Sequence, residues 1–309
     1  CISMLGNRVK APSSSDKPET PHVMTRQDAI IGMSWALAAY LFYSLVPVGI
    51  RMLGDRMPAI EIVFFRNAIG LVAFLIIFSW QGWGSLKTER FGLHLQRNFL
   101  NFVGMWFWFA ALTMMPITKA IALHFTEPLM AAILAVIFLR ERPTPNRIIG
   151  IVFGFVGILV VLRPGVVDVN LPTLMVLGSA LLYASVSIIS RVLGRTERAS
   201  TTTFYYQAML TVFSIGPAIW VWVNPTWEDV PGLLLVGVVG TVAPYCLIRA
   251  IRHAEATVVA PFSFLRLPFT AGWAMVFFSE PTEIWTWIGA SIIFGATYFM
   301  TRAEARAKH

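Results

Sequence analysis

Apolar residues in this chain gather into long runs separated by short polar breaks, and the lengths of the runs predict helices that cross a bilayer. Five runs extend from about Ala29 to Val48, Pro58 to Trp80, Phe99 to Met115, Ile117 to Leu139 and Ile148 to Leu162. Five more extend from about Thr173 to Leu193, Thr201 to Trp222, Leu233 to Ile251, Val258 to Phe278 and Ile284 to Thr301. A helix needs about 17 to 25 residues to span hydrocarbon, and most of these runs fall near that range. The third and fifth are short, and little more than Pro116 separates the third from the fourth, so nine or eleven spans also fit.

Charge decides for ten. With ten spans, the breaks after even-numbered spans share a side with both termini. Of the 24 lysines and arginines, only Arg51, Arg56, Lys119 and Arg163 fall on the opposite side, and only Arg66 and Arg266 lie within spans. This asymmetry assigns both termini to the cytoplasm. Composition agrees: of 309 residues, 57% are hydrophobic and 13% charged, against about 25% charged in an average soluble domain. The net charge of +8 is spread over the breaks, which argues against nucleic-acid binding. Cys1 and Cys246 are the only cysteines, so neither a disulfide framework nor a zinc site is expected. Residues 1–28, rich in Ser, Pro and charge, are read as a disordered cytoplasmic tail, with Met24 an alternative start, and residues 302–309 as a second tail.

The chain also repeats itself. Arg51-Met-Leu-Gly54 recurs as Arg191-Val-Leu-Gly194 at an offset of 140, with Tyr43 falling on Tyr183 and Phe64-Phe-Arg-Asn67 on Phe204-Tyr-Tyr-Gln207. Glu141 matches Glu280, and Ile149-Gly150 matches Ile288-Gly289, at an offset of 139. Residues 29–165 and 170–301 are therefore read as two units of five spans. Five is odd, so the second unit enters the membrane upside down relative to the first. Such inverted repeats suit alternating access to a site between the halves. The expected fold is all-α and integral to the membrane: ten helices, as two inverted five-helix repeats around a central cavity.

The segments Phe125-Thr-Glu-Pro128, Phe138-Leu-Arg-Glu-Arg-Pro143 and Val161-Leu-Arg-Pro-Gly165, with Gly150, Gly154 and Gly157 between them, resemble the drug/metabolite transporter superfamily, in particular its ten-helix EamA-type members. Pro261-Phe-Ser-Phe264, Phe278-Ser-Glu-Pro281 and Trp287-Ile-Gly289 repeat the likeness in the second unit. The resemblance implies a basket of two inverted bundles, in a family that includes bacterial exporters of amino acids and other metabolites. Related branches take up S-adenosylmethionine or carry organic anions. The chain departs from the commonest pattern at Glu127, where a neutral residue usually precedes the proline.

An ionisable side chain within a span costs about 2.5 to 3.5 kcal/mol on insertion scales, so each one requires a partner, a wet cavity or a function. Glu61, Arg66, His124, Glu127 and Arg266 are the candidates. Glu61, near the end of its span, is read as structural. It shares no face with Arg66, about 140° away around the helix, so Arg66 needs another partner. His124 and Glu127, three apart, share a face. Arg266 stands 139 residues from Glu127, so both should approach the pseudo-twofold axis, there to pair with each other or to hold the two ends of a zwitterion. A purely structural salt bridge is an equal reading. A His-x-x-Glu metal site lacks further ligands, so no metal is expected. Tyr183, Trp106, Tyr245, Phe262 and Thr270 are added as substrate-binding candidates, and Pro128, Pro261 and Pro268 as hinges. The glycines of the fifth and tenth spans are read as packing sites.

The function expected is that of a secondary transporter of amino acids or related small metabolites, an exporter or exchanger, with no enzymatic activity. No Gly-x-x-x-x-Gly-Lys-Ser/Thr loop is present, and no cofactor is expected. His124 and Glu127 are candidate proton carriers. The partners are a small-molecule substrate, the lipid bilayer and, as candidate coupling ions, protons; a monomer is expected. The rivals are an S-adenosylmethionine or organic-anion carrier of the same fold, a membrane-embedded lipid-modifying enzyme, and a non-transporting receptor or assembly factor.

Overall fold

Hydrocarbon offers a backbone no hydrogen-bond partners, so runs this apolar must satisfy their own amide and carbonyl groups as helices. The computed structural model describes residues 26–81, 88–138, 145–163, 170–194, 196–197, 199–254 and 256–306. The expected tail before residue 26, Trp83, Glu141 and the last two residues of the Val161-to-Gly165 motif lie outside them. Every regular element described is helical.

In the first unit these are α1 (Arg26–Gly54), α2 (Ala59–Gln81), α3 (Phe91–Met114), α4 (Ile117–His124), α5 (Glu127–Phe138) and α6 (Pro145–Leu162). The second unit has α7 (Leu171–Leu193), α8 (Ala199–Trp220), α9 (Val230–Leu234), a π-helical segment (Leu235–Val239) and α10 (Gly240–His253). It ends with α11 (Ala256–Val259), a 3₁₀ segment (Ala260–Leu265), α12 (Arg266–Phe278) and α13 (Ile284–Arg306). Joined end to end these make ten rods, because α4 and α5 share one span, α9 to α10 a second, and α11 to α12 a third. Among the described residues, five stretches are long and apolar enough to cross a membrane by themselves: Ile30–Gly54, Ala59–Ile76, Ile117–Phe138, Leu171–Leu193 and Val230–His253.

The helices differ from the hydropathy reading in several places. Helix α3 starts at Phe91, eight residues before the apolar run, because one side of its polar first turns, His94 and Asn98, is buried and joined to the other unit: Asn98 Nδ2 donates to the Tyr205 carbonyl at 3.2 Å and Arg97 Nε to Ser190 Oγ at 2.8 Å. Helix α1 begins at Arg26, and α13 continues to Arg306, so residues 26–28 and 302–306 are helical. The fourth span, one apolar run in the sequence, is broken at Phe125-Thr126.

The helix pairing has twofold symmetry. α1 packs on α10 as α7 packs on α3, and α5 on α7 as α12 on α1, while α2 with α8 and α6 with α13 are pairs of equivalent rods. In the last pair, Gly150 lies against Met300 and Gly289 against Val161, contacts that exchange under the 139-residue offset. The partner numbers fall as the residue numbers rise, so α6 and α13 run antiparallel and the twofold lies across the helices. The molecule is thus an all-α membrane protein of two inverted five-helix repeats. The helix ends that flank the odd-to-even joints lie at one end of the bundle; Arg26, Arg306 and the helix ends that flank the even-to-odd joints lie at the other.

The α6–α13 seam depends on backbone touching backbone. A Cβ on Gly157 would stand 2.9 Å from the Gly289 carbonyl oxygen, whereas one on Gly295 would meet nothing within 4 Å. Gly157→Ala is therefore expected to destabilise the folded protein by about 1 to 3 kcal/mol through overpacking. Gly295→Ala should be neutral or stabilising by up to about 1 kcal/mol, since alanine is the better helix former. Thermal unfolding of the two variants in detergent checks both.

Candidate functional site

The break in the fourth span and the break in the ninth place one charge each at mid-bundle. Glu127 is the first residue of α5 and Arg266 the first of α12, equivalent positions in the two repeats. A carboxylate at a helix N-terminus is favoured by the helix dipole, and a guanidinium there is not. Arg266 is held instead by π faces: its Cζ lies 5.9 Å from the Tyr43 ring centre and 5.8 Å from that of Trp108. Its Nε is buried without a hydrogen-bond partner.

Both charges line one cavity of about 330 Å³, with His124, Tyr183, Arg66 and Tyr206, within the usual volume range of small-molecule sites. Ser187 Oγ donates to Glu127 Oε1 at 3.4 Å, and His124 Nδ1 is 3.9 Å from Glu127 Oε2. The His124 ring lies 4.4 Å from Trp108 and 5.5 Å from Tyr183, centre to centre. Glu127 and Arg266 are within electrostatic reach of each other, yet among the described residues they form no ion pair, so the salt-bridge reading gives way to two charged groups facing one space.

Arg66 has the partner that the sequence left unassigned. Its Nη1 donates to Tyr206 Oη at 2.9 Å and to Asn67 Oδ1 at 2.8 Å, and its Nη2 to the Gly240 carbonyl at 3.5 Å. Position 206 is position 66 shifted by 140, so Arg66 reaches across the twofold to its own repeat equivalent. A signal for Tyr206 was therefore present in the repeat itself. None of these acceptors is charged, and the cavity holds two guanidinium groups against one carboxylate.

Other sequence candidates lie elsewhere. Trp106 is 41% exposed on the outer face of α3 and Tyr245 is 56% exposed beside Trp35; Trp108 and Tyr43 supply the aromatic wall instead. Two positions along a helix is about 200° of rotation, so Trp106 and Trp108 cannot share a face. Phe262 packs in a satellite core with Ala36, Ala250 and Val259. Thr270 is fully buried, donating to the Ser44 carbonyl at 3.5 Å. Pro128 sits in the first turn of α5, Pro261 in the 3₁₀ segment and Pro268 in the first turn of α12, all beside the two breaks.

One end of the bundle is fastened above this cavity by ion pairs between the repeats. Arg51 Nη2 lies 3.2 Å from Glu280 Oε1, Arg56 pairs with Glu228 and Asp229, and Arg163 with Glu283. Arg51 Nη1 also donates to the Leu112 and Thr113 carbonyls, at 3.2 and 2.8 Å, while Glu280 Oε2 accepts the Ile117 N–H at 3.1 Å. The guanidinium thus covers the C-terminus of α3 and the carboxylate the N-terminus of α4, each matched to the local dipole. At Asp229 the backbone N–H and hydroxyl of Thr226 stabilise the ionised form and hold its carboxyl below the usual carboxylate range. All these joints are odd-to-even. At the other end Arg191, the repeat equivalent of Arg51, is exposed and forms no ion pair among the described residues.

The sequence matches the EamA-like transporter family twice, over residues 30–163 and 170–302. It is 32% identical over 277 residues to an S-adenosylmethionine uptake transporter of Rickettsia bellii, covering 90% of this chain and 95% of that protein. It is also 32% identical over 282 residues to a riboflavin transporter of Vibrio cholerae, covering 89% of this chain and 94% of that protein. A crystal structure of 16% sequence identity has the same fold, with a TM-score of 0.62 over 92% of this chain and 100% of the other.

The fastening at Glu280 should matter more than that at Glu228, whose side chain is 80% exposed. Glu280→Gln is expected to cost about 1 to 2 kcal/mol through loss of charge-assisted hydrogen bonds, and Glu228→Gln about 0.5 kcal/mol or less. Thermal unfolding in detergent reads the difference. In a background without native cysteines, Ser187→Cys should react faster with a membrane-impermeant thiol reagent supplied at the fastened end once Glu280→Gln is added.

Proposed function

This chain belongs to the EamA-like transporter family, and from that premise we propose that it carries a small organic metabolite bearing an anionic group, by alternating access and without changing it chemically. The observation that supports this reading is the charge imbalance of the cavity. Arg66 and Arg266 face one carboxylate, Glu127, among aromatic rings and hydroxyls, so a carboxylate or phosphate on the solute supplies the missing countercharge. Bidentate contact with such groups is what guanidinium geometry favours.

Amino acids fit as one case, their carboxylate toward an arginine and their ammonium toward Glu127. They do not define the class, since the relatives named above are transporters of S-adenosylmethionine and riboflavin. The same architecture serves a relative named for uptake, so net direction is set by the solute gradient and the coupled ion. We place the protein in a bacterial-type inner membrane with both termini cytoplasmic. It acts as a monomer, with residues 29–165 and 170–301 as its two moving units and Pro128, Pro261 and Pro268 beside the bends. His124 and Glu127 are the proposed proton carriers.

Purified protein in liposomes should show saturable flux of at least one radiolabelled carboxylate or phosphate metabolite, recovered unchanged; chemical conversion of the solute would indicate an enzyme. Arg66→Gln and Arg266→Gln should each lower that flux at least tenfold, an effect of about 1.4 kcal/mol or more. Flux should vary between about pH 5 and 8, and in Glu127→Gln should lose that dependence. Flux in the arginine variants equal to that of the unaltered protein would defeat the proposal.

A further inference from the structure

A second cavity, of about 260 Å³, lies beside the charged one, and three rods, α1 and the fourth and ninth spans, line both. On α1, Tyr43 borders the charged cavity and Tyr40, one turn earlier, the second; in the ninth span Arg266 and Ser263 divide in the same way, as do Glu127 and Pro128 in the fourth. In each case the second cavity lies on the side of the termini, away from the fastened end. Of the rings that line it, Phe294 and Tyr298 stack at 6.1 Å with an interplanar angle of 18°; Phe264 stands behind them, stacked on the lining ring of Phe125 at 6.1 Å and tilted by 34° against Phe294 at 4.6 Å. Hydroxyls of Tyr40, Ser263, Thr297 and Tyr298 border the same space.

We infer that this cavity is a ring-binding subsite, so that the solute is a planar aromatic, nitrogen- or oxygen-edged molecule whose anionic tail reaches Arg66 and Arg266. Two nearly parallel rings side by side, Phe294 and Tyr298, offer a surface on which another ring stacks, and hydroxyls around it match polar ring edges, whereas an acyl chain would use neither. The inference rests on the proposed reading of the charged cavity. Phe294 becomes a specificity-determining residue.

Three ring-bearing anions serve as probes: flavin mononucleotide, adenosine 5′-monophosphate and indole-3-acetate. Glycerol 3-phosphate and acetate are their ring-free counterparts. Binding to the purified full-length protein is measured by thermal shift and calorimetry. At least one ring-bearing anion should bind ten or more times tighter than its counterpart. Phe294→Leu, which keeps the bulk without the ring, should remove that margin and leave the ring-free anion within twofold, and Arg266→Gln should weaken both. Equal binding with and without the ring, or a margin that survives Phe294→Leu, overturns the subsite while leaving the charged cavity standing. So does a phospholipid retained in native mass spectrometry and lost in Phe294→Leu without change in the margin, which would make the crevice a lipid site. Absence of binding by every probe, with no response to Arg266→Gln, removes the reading of the charged cavity and this inference with it.

Discussion

A charge at mid-membrane depth must be solvated by something other than lipid, and the arrangement of the site follows from how this chain meets that demand for Arg66 and Arg266. Arg66 is given a phenol, an amide and a backbone carbonyl. Arg266 is given the faces of Tyr43 and Trp108 and the open space of the cavity. Among the described residues neither is paired directly with an acid, so no ion pair offsets the cost of burying them. A purely structural ion pair would have closed the cavity. Two half-satisfied guanidinium groups keep it open and polar.

The repeats are equivalent in sequence and meet along a seam that keeps their twofold. Along the seam of α6 and α13 the contacts of Gly150 and Gly289 exchange under the twofold. At the odd-to-even end Arg51 is held by Glu280 and two carbonyls, while Glu141, the repeat equivalent of Glu280, lies outside the described residues. In the alternating-access reading proposed above, the α6–α13 seam is the shared interface about which two rigid halves rock.

The number of rods, their inverted duplication and the charges of the fourth and ninth spans were legible in the sequence, because hydropathy, charge asymmetry and a fixed offset each report on them independently. Which face of a rod looks inward was not legible. Lipid and protein interior are both apolar, so no periodicity separates Trp106, facing outward, from Trp108, facing the cavity. The break at Phe125-Thr126 was hidden for the same reason, since a broken apolar span and a whole one have the same composition. The early start of α3 was missed because His94 and Asn98 are buried polar residues, which hydropathy assigns to water. The Arg66–Tyr206 contact was recoverable: both positions were in the aligned repeat, and only the step from equivalent to touching was lacking.

The fastened end and the charged cavity are mechanically joined through Glu280. That carboxylate holds Arg51 at the end of α1 and the first N–H of α4, and it follows directly on α12. Each of these rods carries a cavity residue toward its other end or its middle: Tyr43 on α1, His124 as the last residue of α4, Arg266 as the first of α12. Helix α12 has 13 residues, a stiff rod of about 20 Å, so a displacement of Glu280 cannot be absorbed along it and is delivered to Arg266. In the proposed reading, an anion bound between Arg66 and Arg266 draws on the same rods from the other end. Solute and latch would then act on one set of levers, and releasing either would change the geometry offered to the other.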